Sequence, residues 1–496
     1  MKTMKMALLA GAAIAVSAAA AHADELSDMK AQIEALNARV ASMETAPSVP
    51  AGYQLLAVSK GEALQVPGMM GSDRDRVTNE RATIISVMPT ADAPAGTTIS
   101  WSGYVNAAIT YAGQDDQWTV KGKTADGTDI FTAFTVSSNT DDDWDVKARG
   151  QLRVVATTDT AVGEVGVELK MRGDFAGNGV ADVYMKTAWG YWAMTPELTL
   201  GGGYAGSLGN IGYGYDGACT CYYTDNADVG FNPGDTSQMR LSYASGPFSM
   251  AVAIEDSGIY GGFIGDGSSS NGNQLGVAGE IKYSGDMFSG EISGVYRMVD
   301  GNDYTAGAVD IGISGGAIGF DSDVDGLWQV GAGLGFNLGD IASLSLAAAM
   351  GSGPFTEVNN YTGEITTSLP VKNDWWGISG LASANLSDAV HAEIGLGYKN
   401  RQTDGQSWNL DDTIAGDELK SSGIDYDTWA VLGGIYYTPV DQLTIGLEAE
   451  WFTTNYSTST KATEDIEGTE IVAGDKLSLD YEQDNWSVDL VSVWRF

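Results

Sequence analysis

From about residue 97 onward, apolar and polar side chains alternate with a period of two, the mark of strands with one apolar and one wet face. In "EVGVELKMRGD", Val165, Val167, Leu169 and Met171 share one face, and Glu164, Glu168, Lys170 and Arg172 share the other. "WQVGAGLGFNL" places Trp328, Val330, Ala332, Leu334, Phe336 and Leu338 together, and "QLTIGLEAEWF" opposes Leu443, Ile445, Leu447 and Trp451 to Glu448 and Glu450. About sixteen such segments follow one another, the first near 97 to 112 and 146 to 158, the last at 484 to 496. They are joined in pairs by short connections, "TDTAVGE", "AMTPEL", "ASGP", "SGDM", "LGDI", "LSDA" and "TPVDQ", rich in the Gly, Pro and Asp of tight turns. Between these hairpins lie longer polar stretches.

The pattern before residue 97 is different. Residues 1–23, with Lys2 and Lys5 ahead of an apolar run and a small-x-small end at Ala21, His22 and Ala23, read as a secretory signal peptide. Residues 24–46 carry Leu26, Met29, Ile33, Leu36, Val40 and Met43 at alternating steps of three and four, an a/d seam for a short parallel coiled coil, with three strands favoured over two. Three heptads are marginal alone, so the seam should zip where a larger body already gathers the copies. A single amphipathic helix lying on its own domain is the alternative. Residues 47–96 have no clear period and read as a linker with room for a little local structure.

Composition narrows the class. The chain of 496 residues holds 26 basic and 65 acidic residues, a net charge of −39, which argues against nucleic-acid binding through a basic patch. Acids cluster in "GQDDQ" and "NTDDDWD", read as exposed loops. Asp141, Asp142 and Asp143 are weak candidates for a loop-bound Ca²⁺, a run of acids being more often simply solvated. Cys219 and Cys221 form a C-x-C pair too tight for an unstrained bridge and too poor in neighbours for a metal site, and read as a local loop feature of unknown redox state; no cofactor is expected for solutes that follow their gradients. Beyond the signal the one remaining histidine is His391, which leaves a Ser-His or Asp-His catalytic site without partners and argues against an enzyme.

After the signal no apolar run approaches the about 20 residues of a spanning helix. The strands, many of ten residues or more, have the length of tilted strands crossing a bilayer. Charges on one face of strand after strand would make a costly sandwich core, whereas a lipid-facing apolar side and a wet lumen cost little. Aromatics near the ends of these faces, Trp189 and Tyr191, Phe248, Tyr283, Tyr296, Trp376, Tyr398, Trp429, Tyr437, Trp451 and Trp494, read as interfacial girdles. The expected fold is therefore an all-β transmembrane, about 16-stranded antiparallel β-barrel over residues 97–496, preceded by the helical coiled coil.

The closing "NWSVDLVSVWRF", with Trp486, Val488, Leu490, Trp494 and Phe496 on one face, ends on Phe. With the strand count, it resembles the bacterial outer-membrane porins; "ISWSGYVNAAI" and "TSQMRLSYASGPFSMAVAIED" look most like the alphaproteobacterial branch. The N-terminal heptads are similar to those of porins with trimeric periplasmic coiled coils. The resemblance implies that Trp494 and Phe496 belong to an assembly signal, and that the third long loop, about 204–236, folds into the lumen. That loop offers Asp216, Asp225, Asp228 and Asp235; inward positions of the early strands offer Lys147, Arg149, Arg153, Lys170, Arg172, Lys186 and Arg240. Opposed across a narrow gap, these would set up a transverse field; alternatively they pair into salt bridges that support the wall.

The resulting expectation is a homotrimeric channel in the outer membrane, in contact with lipid and lipopolysaccharide, passing ions and small hydrophilic solutes with a mild cation preference. Its N-terminus would lie in the periplasm, where it could meet peptidoglycan. The rival reading is a surface-array, adhesin or envelope-tethering protein whose barrel is mainly an anchor.

Overall fold

The computed structural model describes residues 55–69, 81–88, 96–176, 183–210, 235–256, 275–298, 309–310, 317–318, 326–358, 365–403, 407–409, 419–462 and 472–496. The chain divides into two compact units, 1–59 with 85–98, and 60–84 with 99–496. The predicted coiled coil at 24–46 lies outside the described residues, among which no helix occurs.

The second unit is a closed antiparallel barrel. Its sixteen strands are β1 (Thr97–Lys123), β2 (Asp129–Thr160), β3 (Gly163–Ala176), β4 (Val183–Ala193), β5 (Leu198–Gly206), β6 (Asp235–Ser245), β7 (Phe248–Asp256) and β8 (Leu275–Ser284), then β9 (Phe288–Met298), β10 (Gly326–Asn337), β11 (Ala342–Val358), β12 (Ile365–Ser387), β13 (Val390–Thr403), β14 (Leu419–Val440), β15 (Leu443–Ala462) and β16 (Lys476–Arg495). Each pairs with its neighbours in sequence. Closure comes from β16 on β1, in unbroken register from Arg495 opposite Tyr104 to Lys476 opposite Lys123. Among the described residues the ring of sixteen strands has no open edge, as a spanning sheet would require. The seven short connections predicted from turn chemistry all join neighbouring strands. They lie at one end of the barrel.

The burial pattern is inside out relative to a water-soluble protein. In β10 Trp328, Val330, Leu334 and Phe336 are exposed, while Gln329 is buried; in β15 Ile445, Leu447 and Trp451 are exposed while Glu448 and Glu450 are buried. The alternation of the sequence is thus realised as an apolar outer belt and a polar inner wall.

Three expectations are corrected. "GQDDQ" and "NTDDDWD" are not loops but parts of the long strands β1 and β2, of 27 and 32 residues. Strands of this length exceed the about 9–11 residues that cross a bilayer, so on this flank the sheet continues past the apolar belt, on the side of the long connections. Trp189 and Tyr191 do not face outward: they are 3% and 4% exposed, and Trp192 takes the outer position. Gly201 and Gly166 make room for them, since a Cβ on either would collide with the Trp189 or Tyr191 ring. Finally, the segment read as a linker contains strands at Leu55–Glu62 and Arg81–Met88.

Candidate channel lumen

The inner face of β2, β3, β4 and β6 holds a basic flank. Arg153 pairs with Glu168 at 2.6 Å and Arg149 with Asp174, both across β2 and β3. Arg172 donates to Gln151 at 3.0 and 2.9 Å, and Lys147 and Lys170 share this wall, Lys170 being buried. Lys186 binds Asp235. Arg240 lies 5.0 Å over the Trp189 ring and donates to Gln238 and to the carbonyl of Gly206. Arg149, Arg153 and Lys186 each hold a carboxylate; Lys186 falls at the irregularity between Met185 and Thr187, off the parity of the buried Thr187, Trp189 and Tyr191, so simple alternation does not place it. Asp235 is the one candidate of the third loop among the described residues; Asp216, Asp225 and Asp228 lie outside them, as do Cys219 and Cys221.

The start of that loop does fold inward. Leu208 is fully buried against Ala251, Ala253, Ala278, Val295 and Leu327, inner residues of β7 to β10. Glu255 anchors it, accepting from the Ser207 hydroxyl at 2.9 Å and the Leu208 N–H at 3.1 Å, and Gln329 donates to the Gly209 carbonyl at 2.8 Å. Glu255 also pairs with Arg297 at 3.0 Å, both side chains fully buried. Alternation marks Glu255 and Arg297 as inward, but nothing in the sequence singles out their pairing or their hold on residues 207–210.

A second occupant of the inner wall had no sequence signal at all. Residues 63–69 run as a strap along β1, β2, β5 and β6. The N–H of Leu64 donates to the Ser100 hydroxyl at 3.3 Å, Arg153 donates to the Leu64 carbonyl at 3.0 Å, and Ser242 donates to the Gly68 carbonyl at 2.9 Å. Val66 is buried in a cluster with Val155, Trp189, Tyr191 and Ala205, and Leu64 and Met69 pack on the same cluster. Gly68 has φ +76°, and a Cβ there would stand 3.0–3.2 Å from Thr199 and Ser242. The strap lies near the short-turn end, Thr199 and Ser242 being close to their hairpin turns.

The flank from β13 to β16 is acidic. Glu448 and Asp489 are opposite each other and buried, with Glu450 and Glu393 nearby. Tyr436 donates to Glu448 at 3.1 Å, Thr110 donates to Asp489, and Ser487 donates to Glu450 at 3.2 Å. His391, at a short turn, bonds Asn385 and Glu393 through its two ring nitrogens. The lumen thus has basic and acidic sectors flanking β1.

Of the other candidates, Trp494 and Phe496 are on the outer face, and the Phe496 N–H donates to the Gly103 carbonyl at 3.1 Å, sealing the seam. Asp143 accepts the N–H of Trp144 at 2.7 Å; the side chains of Asp141 and Asp142 are outside the described residues. Among the described residues no group of three or more His, Cys, Asp or Glu could hold a metal ion.

No protein-family model matches the sequence, and no curated protein matches it. Among solved structures, the barrel is similar to the outer-membrane protein OmpT of Vibrio cholerae, at 11% identity and a TM-score of 0.43 over 81% of this chain and 98% of that one. It is also similar to an anion-selective porin from Comamonas acidovorans, at 11% identity and a TM-score of 0.41 over 81% and 100% of the two chains. A mutant porin of Rh. blastica matches at 13% identity and a TM-score of 0.36 over 80% and 100%. Likeness at such scores carries no weight for function, and the sixteen-stranded antiparallel closed barrel rests on its own strand pairing.

Proposed function

We propose that the protein is an outer-membrane porin, a water-filled channel for the passive diffusion of ions and small hydrophilic solutes. The observation that carries this reading is the inverted barrel: apolar side chains outside, and on the inner wall charged side chains that keep part of their surface open, such as Arg149, Asp174 and Arg153, beside buried and paired ones such as Glu255 and Arg297. Lipid outside and water inside is the environment in which both faces are solvated at low cost. The strap at 63–69 and the inward turn at 207–210 reduce the bore, and the charged sectors tune ion preference. The test is single-channel conductance in a planar bilayer, where a porin gives stepwise openings.

The anchor reading also has an observation in its favour, because the strap and the loop start occupy wall that an unobstructed pore would leave open. A barrel that inserts and stays silent would select it. In either case, we place the short-turn end in the periplasm, with the seam Leu26, Met29, Ile33, Leu36, Val40 and Met43 joining three copies and leaving the N-terminal segment able to meet peptidoglycan. Outer contacts are with lipid and lipopolysaccharide. Transport follows gradients without a cofactor, with Ca²⁺ at Asp141 to Asp143 a minor candidate. With both nitrogens of His391 engaged by Asn385 and Glu393, catalysis is not part of this proposal.

A further inference from the structure

On the long-connection side, the inner wall carries a row of aromatic rings. Trp118 of β1 faces Tyr481 of β16, which faces Tyr456 of β15, which faces Tyr426 of β14, all in direct register. Their centroids are 3.9, 5.3 and 4.4 Å apart, and each ring keeps part of its surface open. Parity puts them inside: they share strand faces with the inner residues Thr110, Asp489, Glu450 and Ala430. The row continues to Arg401 of β13, whose guanidinium lies 5.1 Å over the Tyr426 ring, and to Trp375 of β12.

The row descends. On their own strands, Trp118 stands seven residues beyond the outward aromatic Tyr111, Tyr456 five beyond Trp451, Tyr426 three from Trp429, and Trp375 next to Trp376. At about 3.3 Å per residue, that is a shift of about 20 Å measured along the tilted strands. Two residues nearer the belt runs a second row in the same register, polar throughout: Asp116, Gln483, Thr454, Thr428 and Lys399. Asp116 accepts from the Tyr481 hydroxyl at 2.8 Å and from Gln483 at 3.1 Å, and the hydroxyls of Thr428 and Thr454 are 3.3 Å apart.

An apolar shelf beside a line of carboxylate, amide and hydroxyl groups, ending at Lys399, which is buried over the Trp375 ring, matches a ligand that is itself two-sided. A pyranose ring has apolar C–H faces and a rim of hydroxyls that both donate and accept, and aromatic surfaces with a few placed polar groups are what hold such a ligand. Planar hydrophobic compounds would leave the polar row unmatched, and the rows carry charge of both signs, Asp116 at one end and Arg401 and Lys399 at the other, which favours no net charge on the ligand. With strands about 4.8 Å apart, the row from β1 to β12 is about 24 Å long, enough for several sugar rings.

We propose that this wall is a binding track for a linear, neutral oligosaccharide, with ring faces on the aromatic row and hydroxyls on the polar row. The step from binding to passage rests on the porin reading; binding itself does not. The experiment uses the full-length protein in planar bilayers with maltohexaose or cellohexaose added on the long-connection side, and a parallel tryptophan-fluorescence titration of the detergent-extracted protein. The expected result is sugar-dependent interruption of each channel's own open current and a saturable change in fluorescence. Both should weaken at least tenfold in Tyr456→Ala and Tyr481→Ala and be retained in Tyr456→Phe, which keeps the ring. Open channels with no sugar response in either assay, or responses unchanged in the alanine variants, would overturn the track and leave the porin standing. A fluorescence response of that pattern in a barrel that never conducts would support the track and overturn the porin instead.

Discussion

Ser242 donates its hydroxyl to the carbonyl of Gly68 at 2.9 Å, joining residues 174 positions apart. With Arg153 on the Leu64 carbonyl at 3.0 Å, it fixes both ends of the strap to the inner wall by bonds to backbone oxygens. The strap is therefore a built part of the lumen. Its conformation depends on Gly68, whose φ of +76° places it where side chains rarely go.

Gly68→Val should consequently displace the strap, because it adds backbone strain and a clash with Thr199 and Ser242. The expected outcome is a larger single-channel conductance and faster proteolysis within 63–69, while the barrel keeps the electrophoretic mobility of the unaltered folded protein. Val66→Asp should act in the same direction, since it gives up about 1.5–3 kcal/mol of apolar burial and puts a carboxylate into the cluster of Val155, Trp189 and Tyr191.

Breaking the Glu255–Arg297 pair is a different test. Both side chains are fully buried, and removing one partner of such a pair costs about 3–5 kcal/mol. Glu255→Ala should lower the temperature at which the folded band converts to the unfolded one, and should release residues 207–210, read as increased proteolysis there. Arg297→Ala should destabilise the barrel while leaving the Ser207 and Leu208 bonds to Glu255 available.

How much of this was legible beforehand varies with the kind of interaction. The outward-facing apolar set of β10, from Trp328 to Phe336, and the seven tight turns were legible because period-two alternation and turn chemistry are local signals. Trp189 and Tyr191 were misplaced because β4 has aromatics on both faces, and only the facing glycines, Gly201 and Gly166, reveal which side has room. Strand ends were misjudged at "GQDDQ" and "NTDDDWD", where polar residues extend a sheet that no longer needs an apolar face. The basic residues of β2 and β3 were placed on the right wall, but their partners Glu168 and Asp174 are set by register, which alternation alone does not specify. The strap was invisible because its anchors are backbone carbonyls, carried by every residue alike.

Phe496 extends the closing seam beyond the paired residues Arg495 and Tyr104. Phe496 donates its N–H to Gly103, and its ring lies so close that a Cβ at Gly103 would stand 2.6 Å from it. Deleting Phe496, or replacing Gly103 with Val, should reduce the yield of folded, membrane-inserted protein by several-fold in a fractionation assay. Phe496→Tyr, which keeps the ring and the backbone donor, should restore most of it.

Ion preference should follow the acidic sector. The reversal potential across a salt gradient should show mild selectivity for cations, and Glu450→Gln, which removes a charge from the wall beside Ser487, should move it towards neutrality. Arg172→Gln, on the basic flank, should move it the other way. Anion selectivity in the unaltered protein would count against the assignment.

Whether this barrel is an open conduit is decided by single-channel recording of the detergent-extracted, full-length protein in a planar bilayer. An open conduit gives stepwise openings, grouped in threes, with a conductance that rises in Gly68→Val. Folded barrels that insert yet pass no current, with or without the strap displaced, would refute it.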